Sequence, residues 1–381
     1  MSIPRRSPIG VRPGWTSAWH PAPACLFPIL LLTGLTSFAA LAKEPGRSGR
    51  QFMGIVDFSG FSRTVTAQGT VVLVSPEITT EFTWKDLVVS WNVRLATGTS
   101  LRVEAQARYP DRVTRFYGLG VWSLNGSTEP RRSLTGQQDS DGDVQTDILS
   151  LAQPADRARV RLTLEGIVTS EPTTLAFLGL SFLDPRLEPT PERMPRPTGA
   201  DPLPVPERSQ LGYDGGQTWC SPTALSMILG YWANRCERRD LDRDVPEVAA
   251  AVFDPGWPGT GNWSFNTAYA GSFPGMRGYV TRLASLDEVE AWLRCGVPLA
   301  ASVSYSLLQG QPQAGNGHLV VCVGLTETGD VIVNDPGTRN EVRRVFPRAD
   351  FLRAWAQSHH TVYVIHPVGW LAPEDPAGHW P

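Results

Sequence analysis

The sequence predicts an all-β domain followed by an α+β domain, and three observations carry that reading. Between residues 51 and 184 apolar and polar residues alternate with a period of two, as strands with one wet face do. Between 185 and 206 the chain is dominated by proline. From 207 to 368 an apolar helix comes first and strand-like runs follow, which is an α+β order.

Composition bounds the partners. At 381 residues the chain has room for two domains, and 41% hydrophobic with 19% charged residues describes a globular protein. A net charge of −3 gives no sign of a nucleic-acid partner. At the N-terminus Arg5, Arg6 and Arg12 precede an apolar run at 26–39 and an Ala40-Leu41-Ala42 cleavage site. Residues 1–42 therefore read as a signal peptide, giving a secreted protein, periplasmic or extracellular, with no stable membrane span after cleavage.

In the β-domain, Leu101, Val103, Ala105 and Ala107 alternate with Arg102, Glu104, Gln106 and Arg108. Ala158, Val160, Leu162 and Leu164 alternate with Arg159, Arg161, Thr163 and Glu165. Further strands fall at 71–74, 87–93, 115–124 and 175–182, and a jelly-roll-like β-sandwich is the expected architecture. By analogy of fold, such a domain would take a surface polymer or carbohydrate. Asp139, Asp141 and Asp143 mimic the start of a calcium loop. Val144 and Ser150 replace its glycine and bidentate glutamate, so the stretch reads as a solvated acidic turn. Asn125 and Asn262 each open an N-x-S glycosylation triplet. Eight prolines from Pro185 to Pro206 describe a semi-rigid spacer between domains.

The second domain is organised around Cys220. A Gly-rich loop with Gly215 and Gly216 precedes it, and Leu225, Ile228, Leu229 and Trp232 follow at the spacing of one buried helical face. Pro222 suits the first turn. A thiol at a helix N-terminus has its thiolate favoured by unpaired N–H groups and the helix dipole. Ser285 and Glu288 form a capping box for a short helix ending at Gly296. Strands are expected at 297–305, 318–325 and 331–334, the last two as a hairpin, then a helix at 351–357 and a strand at 361–366. His318 opens one hairpin strand and Asp335 closes the next. That spacing brings both to one end of adjacent strands, where imidazole can take the thiol proton and carboxylate can hold its tautomer. Cys322 reads as a core thiol. Cys236 and Cys295 each end a helix and could pair in an oxidising compartment. No Cys/His spacing forms a metal set, and no cofactor motif is present.

The stretches QTWCSPTALSMILGYW, GTGNWSFNTAYA, GNGHLVVCVG and VIVNDPG resemble the bacteriocin-processing (double-glycine) peptidases, family thirty-nine of the cysteine peptidases. Without transporter domains, the chain is similar to that family's secreted relatives. The resemblance spans about 209–366. It implies a papain-like fold, a peptide or protein substrate, Cys220 as nucleophile, His318 as base and acid, and Asp335 as orienting group. The family also uses an upstream glutamine in the oxyanion hole. Gln210 and Gln217 are the two candidates, and Gln210 is favoured because it follows an extended Pro-rich run. Ser221 stands where that family usually has glycine. The alternatives are a cell-wall amidase or acyl transferase with the same triad, and an inactive surface-binding protein.

Overall fold

The computed structural model describes residues 49–124, 127, 129–166, 173–187, 199–375 and 377–381. The region read as a signal peptide, residues 188–198 of the spacer and Asn125 lie outside the described residues. The first part of the chain forms nine strands: β1 (Arg50–Ile55), β2 (Ser62–Val65), β3 (Val71–Val74), β4 (Ile78–Arg94), β5 (Ser100–Arg108), β6 (Tyr117–Ser123), β7 (Gly142–Gln145), β8 (Ile148–Glu165) and β9 (Thr174–Leu183). Alternation holds where it was read: Leu101, Val103, Ala105 and Ala107 of β5 are all buried, as are Ala158, Val160 and Leu162 of β8.

The strands make one continuous antiparallel sheet, not two separate ones, with order β1-β9-β4-β8-β3-β2, and with β5 and β7 also on β8. The reason is the length of β8. Its first residues pair with β4 and β7, and residues from Arg157 onward pair with β5 and β3. Eighteen residues span roughly 60 Å, so one strand serves both halves. The β4–β8 register shifts on either side of Trp84, as β-bulges do.

The second part contains α1 (Cys220–Arg235), α2 (Val245–Val252), α3 (Trp263–Ser272), β10 (Met276–Arg282), α4 (Leu286–Arg294), β11 (Leu299–Ser304), α5 (Tyr305–Leu308), β12 (Gly317–Leu325), β13 (Val331–Asn334), β14 (Arg343–Phe346), α6 (Arg348–Trp355) and β15 (Thr361–Pro367). Its six strands are ordered β10-β15-β11-β12-β13-β14. The expected hairpin is present, with Val321 opposite Asn334 and Leu325 opposite Val331. The capping box forms as well: Ser285 accepts from the Glu288 N–H, and the Glu288 carboxylate accepts from Ala284. Helix α1 departs from the single buried face expected of it. Residues 221–233 are buried all round, because the helix lies between the sheet, α2 and α3. Its two buried serines are bonded: Ser226 Oγ donates to the Arg243 carbonyl, and Ser221 Oγ meets the Tyr363 hydroxyl at 2.9 Å.

The proline spacer does not hold the two parts apart. Residues 199–206 lie along β12 as an added extended segment, with N–H donation from Ala200 to Leu325 O and from Leu203 to Val323 O. The described residues after 43 cluster as one unit. Strand β10 is the edge of its sheet, and β4 covers that edge with side chains. Asn92 exchanges two hydrogen bonds with the Gly278 backbone, and Ser90 accepts from Val280 N–H. Unpaired edge groups would otherwise be a liability. Phe265 packs on Trp91 and Trp122, and Tyr279 packs on Phe52 and Phe177. Gly271 must be glycine, since a Cβ there would sit 2.1 Å from the Asn92 amide. The run 87–93 is wholly buried because one face serves each partner. The C-terminal tail extends the seam beyond residue 368: Gly378 O accepts from Phe52 N–H, and Trp380 packs edge-on against Trp292.

Cys236 and Cys295 do not pair; both are free thiols. The acidic turn is less solvated than its composition suggests, since Arg112 pairs with Asp141 and Arg115 with Asp139. Among the described residues no helix is long and apolar enough to cross a membrane.

Candidate active site

Cys220 is the first residue of α1, and Trp219 at the N-cap offers no side-chain hydrogen bond to the free N–H groups. The Gly-rich loop before it is needed for close approach: a Cβ at Gly216 would fall 1.9 Å from the Gln210 carbonyl oxygen. Gly215 has φ +81°, a left-handed turn that favours glycine. His318 is the second residue of β12, opposite Val303 of β11. Asp335 follows the last residue of β13, so the hairpin brings both to one end, as their spacing implied.

The three side chains are arranged as a relay. His318 Nε2 meets Asp335 Oδ1 at 2.7 Å, which leaves Nδ1 as the ring nitrogen available to the Cys220 thiol. Asp335 is fully buried and saturated: Oδ1 also accepts from Gly337 N–H at 2.9 Å, and Oδ2 takes the Arg344 guanidinium at 3.3 Å. Burial pushes the Cys220 thiol up, but the His318 hydrogen bond and charge, with the N–H groups of Leu319 and Ser221, hold it below its ordinary value. Burial works against His318 charging too. Its bonds to Asp335 and Cys220 prevail and raise it to about 9. Asp335 is held low against burial by His318, the Gly337 N–H and Arg344. The arrangement thus favours a thiolate–imidazolium pair.

Two contributors had no signal in the sequence. Arg344 reaches Asp335 only because β14 pairs with β13, with Arg344 opposite Val333. Tyr305 packs its ring 4.3 Å from that of His318, and a Cβ at Gly337 would lie 3.0 Å from His318 and 3.2 Å from the Tyr305 hydroxyl. Gly337 therefore permits the close packing of the Asp335 turn.

Cys220 and His318 face a cleft of about 760 Å³ that both glutamine candidates also line. Gln210 is 4% exposed and anchored: its backbone N–H donates to Pro336 O, and its amide donates to Gln217 O at 2.9 Å. One amide hydrogen remains. Gln217 is exposed, and what it gives Gln210 is a backbone carbonyl.

The remaining candidates are structural. Cys322 lies wholly in the core, where burial pushes its thiol up to about 12. Burial lowers His360 to about 4, and its ring stacks on Trp355. Asn262 is buried as the N-cap of α3, accepting from Phe265 N–H and donating to Asp254, so its side chain is committed. Among the described residues no group of acidic, Cys or His side chains could hold a metal.

Residues 202–363 match the Peptidase C39-like family, and residues 61–180 match the Peptidase C39 N-terminal domain. Uncharacterized proteins of Mycobacterium tuberculosis and Mycobacterium bovis are each 35% identical over 91 residues, covering 22% of this chain. The match spans 38% of each relative's length. A solved structure described as a C39-like peptidase from Bacillus anthracis is 17% identical, covering 44% of this chain and 97% of its own, with a TM-score of 0.35.

Proposed function

Because residues 202–363 make this chain a relative of the C39 family of cysteine peptidases, we propose that it is a secreted, papain-like thiol hydrolase that cleaves peptide or amide bonds. The observation that carries this is the placing of Cys220 and His318 on one cleft, with His318 hydrogen-bonded to the buried Asp335 and lowering the pKa of the Cys220 thiol. The Cys220 thiolate attacks the scissile carbonyl carbon, and the carbonyl oxygen becomes an oxyanion. The Cys220 backbone N–H and the free amide hydrogen of Gln210 stabilise that charge. Imidazolium His318 gives its Nδ1 proton to the leaving amine as the C–N bond breaks, leaving a thioester on Cys220. His318 then takes a proton from water, whose oxygen attacks the thioester, and the acid departs as the thiolate returns. Asp335, fixed by Arg344 and Gly337, keeps the ring oriented throughout.

Export follows from the N-terminal pattern, and sequencing the N-terminus of protein recovered outside the cytoplasm checks for a start near Lys43. The hydrolase reading is tested with a peptide library analysed by mass spectrometry. Wild type should yield discrete cleavages, and Cys220→Ala should yield none while remaining folded. Equal cleavage by both overturns the assignment.

A further inference from the structure

One wall of the cleft carries a large apolar side chain that the packing of the protein does not bury. Trp257 is 47% exposed and lines the same cleft as Cys220 and His318. An exposed tryptophan is normally a mobile one, but this one is fixed. Its ring lies over the Gly259–Gly261 backbone, where a Cβ at Gly259 would come within 2.8 Å of the indole and one at Gly261 within 3.5 Å. The turn that bears it is closed by paired backbone bonds between Asp254 and Gly259. Asp254 is wholly buried; its Oδ1 accepts from the N–H groups of Gly256 at 2.9 Å and Trp257 at 3.3 Å, and its Oδ2 accepts from Asn262.

The β-domain secures this turn from behind. Ser133 N–H donates to Asp254 Oδ1 at 2.8 Å, and Arg131 donates to the carbonyls of Ala250 and Phe253. Gly256 is glycine because a Cβ there would meet the Ser133 carbonyl at 2.3 Å. A second strut joins the same wall, since the Asp147 carboxylate accepts the Trp263 N–H at the start of α3. None of the described residues lining the cleft is Asp, Glu, Lys or Arg. Next to Trp257 in the chain the wall offers Pro258, Gly259 and Gly261, and the Thr260 hydroxyl donates its proton to Thr218 O.

From this we infer that Trp257 is a preset platform which takes an aromatic side chain of the substrate, making it a specificity-determining residue of the proposed peptidase. The inference rests on the thiol-hydrolase reading. The chemistry favours a planar apolar group: indole offers a face for stacking, and a neutral wall gives a charged side chain no partner. A sugar ring could also stack, and the glucosamine probe in the test below separates that case from an aromatic one.

The test uses the full chain and alkylating probes, each of which forms a C–S bond to Cys220 as iodide leaves. Rates are measured by mass spectrometry for iodoacetamide, for N-benzyl and N-(4-phenylbutyl) iodoacetamides of two different arm lengths, and for N-iodoacetylglucosamine. Each rate is divided by that of the same probe on N-acetylcysteine. In wild type one arylalkyl probe should exceed iodoacetamide by roughly 2- to 12-fold, the factor an aromatic pair supplies. Trp257→Ala should bring that ratio near one, and Trp257→Phe should retain most of it. A ratio indifferent to Trp257→Ala, with Cys220 still the fastest thiol, overturns the platform and leaves the hydrolase reading standing. A gain for the glucosamine probe in place of the arylalkyl ones also overturns it. If iodoacetamide labels Cys220 no faster than the other thiols, the hydrolase reading fails and the platform falls with it.

Discussion

Asp335→Asn isolates the charge that the arrangement depends on. Asparagine keeps an acceptor at the Oδ1 position, so the His318 ring stays in place, and the half-exposed Arg344 can turn to water. In the wild type His318 is raised from its ordinary 6.5 to about 9. That difference is worth roughly 3 kcal/mol in favour of imidazolium, net of the burial that opposes it. A carboxylate in contact typically supplies one to three pH units of such a rise, so the substitution should lower the His318 midpoint by about that much. The sign is fixed by the direction: a raised histidine keeps its proton until pH passes its folded value, so the thiolate–imidazolium pair persists up to about 9 in the wild type. It should dissolve at lower pH in the variant. The assay is NMR of ring-labelled histidine; the sequence has six histidines, so the His318 signal can be assigned by its loss in His318→Gln. In parallel, the acid limb of Cys220 alkylation should move to higher pH, because a weaker imidazolium stabilises less thiolate. A wild-type His318 midpoint near 6.5, or one unmoved by Asp335→Asn, refutes the charge-pair account.

Three further outcomes follow from the structure. Gln210→Ala should lower kcat by about a hundredfold with little change in KM, as loss of an oxyanion donor does, whereas Gln217→Ala should be near neutral because it contributes a backbone carbonyl; the reverse order in steady-state assays would reassign the hole. A chain beginning at Glu207 should aggregate or unfold, since it uncovers Phe265, Tyr279 and the β10 edge; a monomeric fragment with a cooperative melt would show that the seam is dispensable. Burial raises the Asp147 carboxyl to about 7, against the Trp263 and Ser264 N–H groups that favour its anion. The folded state therefore holds this proton more tightly than the unfolded chain, and stability is lost as pH rises from about 4 to about 7. Asp147→Asn should raise the Tm relative to wild type at pH 8 by several degrees and much less at pH 5; an equal shift at both pH values counts against a buried, titrating Asp147.

The local devices were legible because each is written in consecutive residues. The period of two in β5 and β8, the Ser285–Glu288 box, the hairpin of 318–325 with 331–334 and the Pro222 first turn depend on near neighbours. So does the placing of Cys220 at a helix start. The separation of 17 positions from His318 to Asp335 sufficed to bring them together, because a short hairpin leaves few registers. Long-range packing was not legible. That α1 is buried all round, that β8 serves both halves of one sheet, and that Cys236 and Cys295 stay apart are decided by what packs against each element. Arg344 reaches Asp335 through strand pairing that no spacing announces. The proline segment misled for the same reason: its composition favours an extended chain, and an extended chain can span a gap or lie along a strand equally well. Only the tertiary fold chose the second for residues 199–206, since the Leu325 and Val323 carbonyls of β12 accept the Ala200 and Leu203 N–H groups.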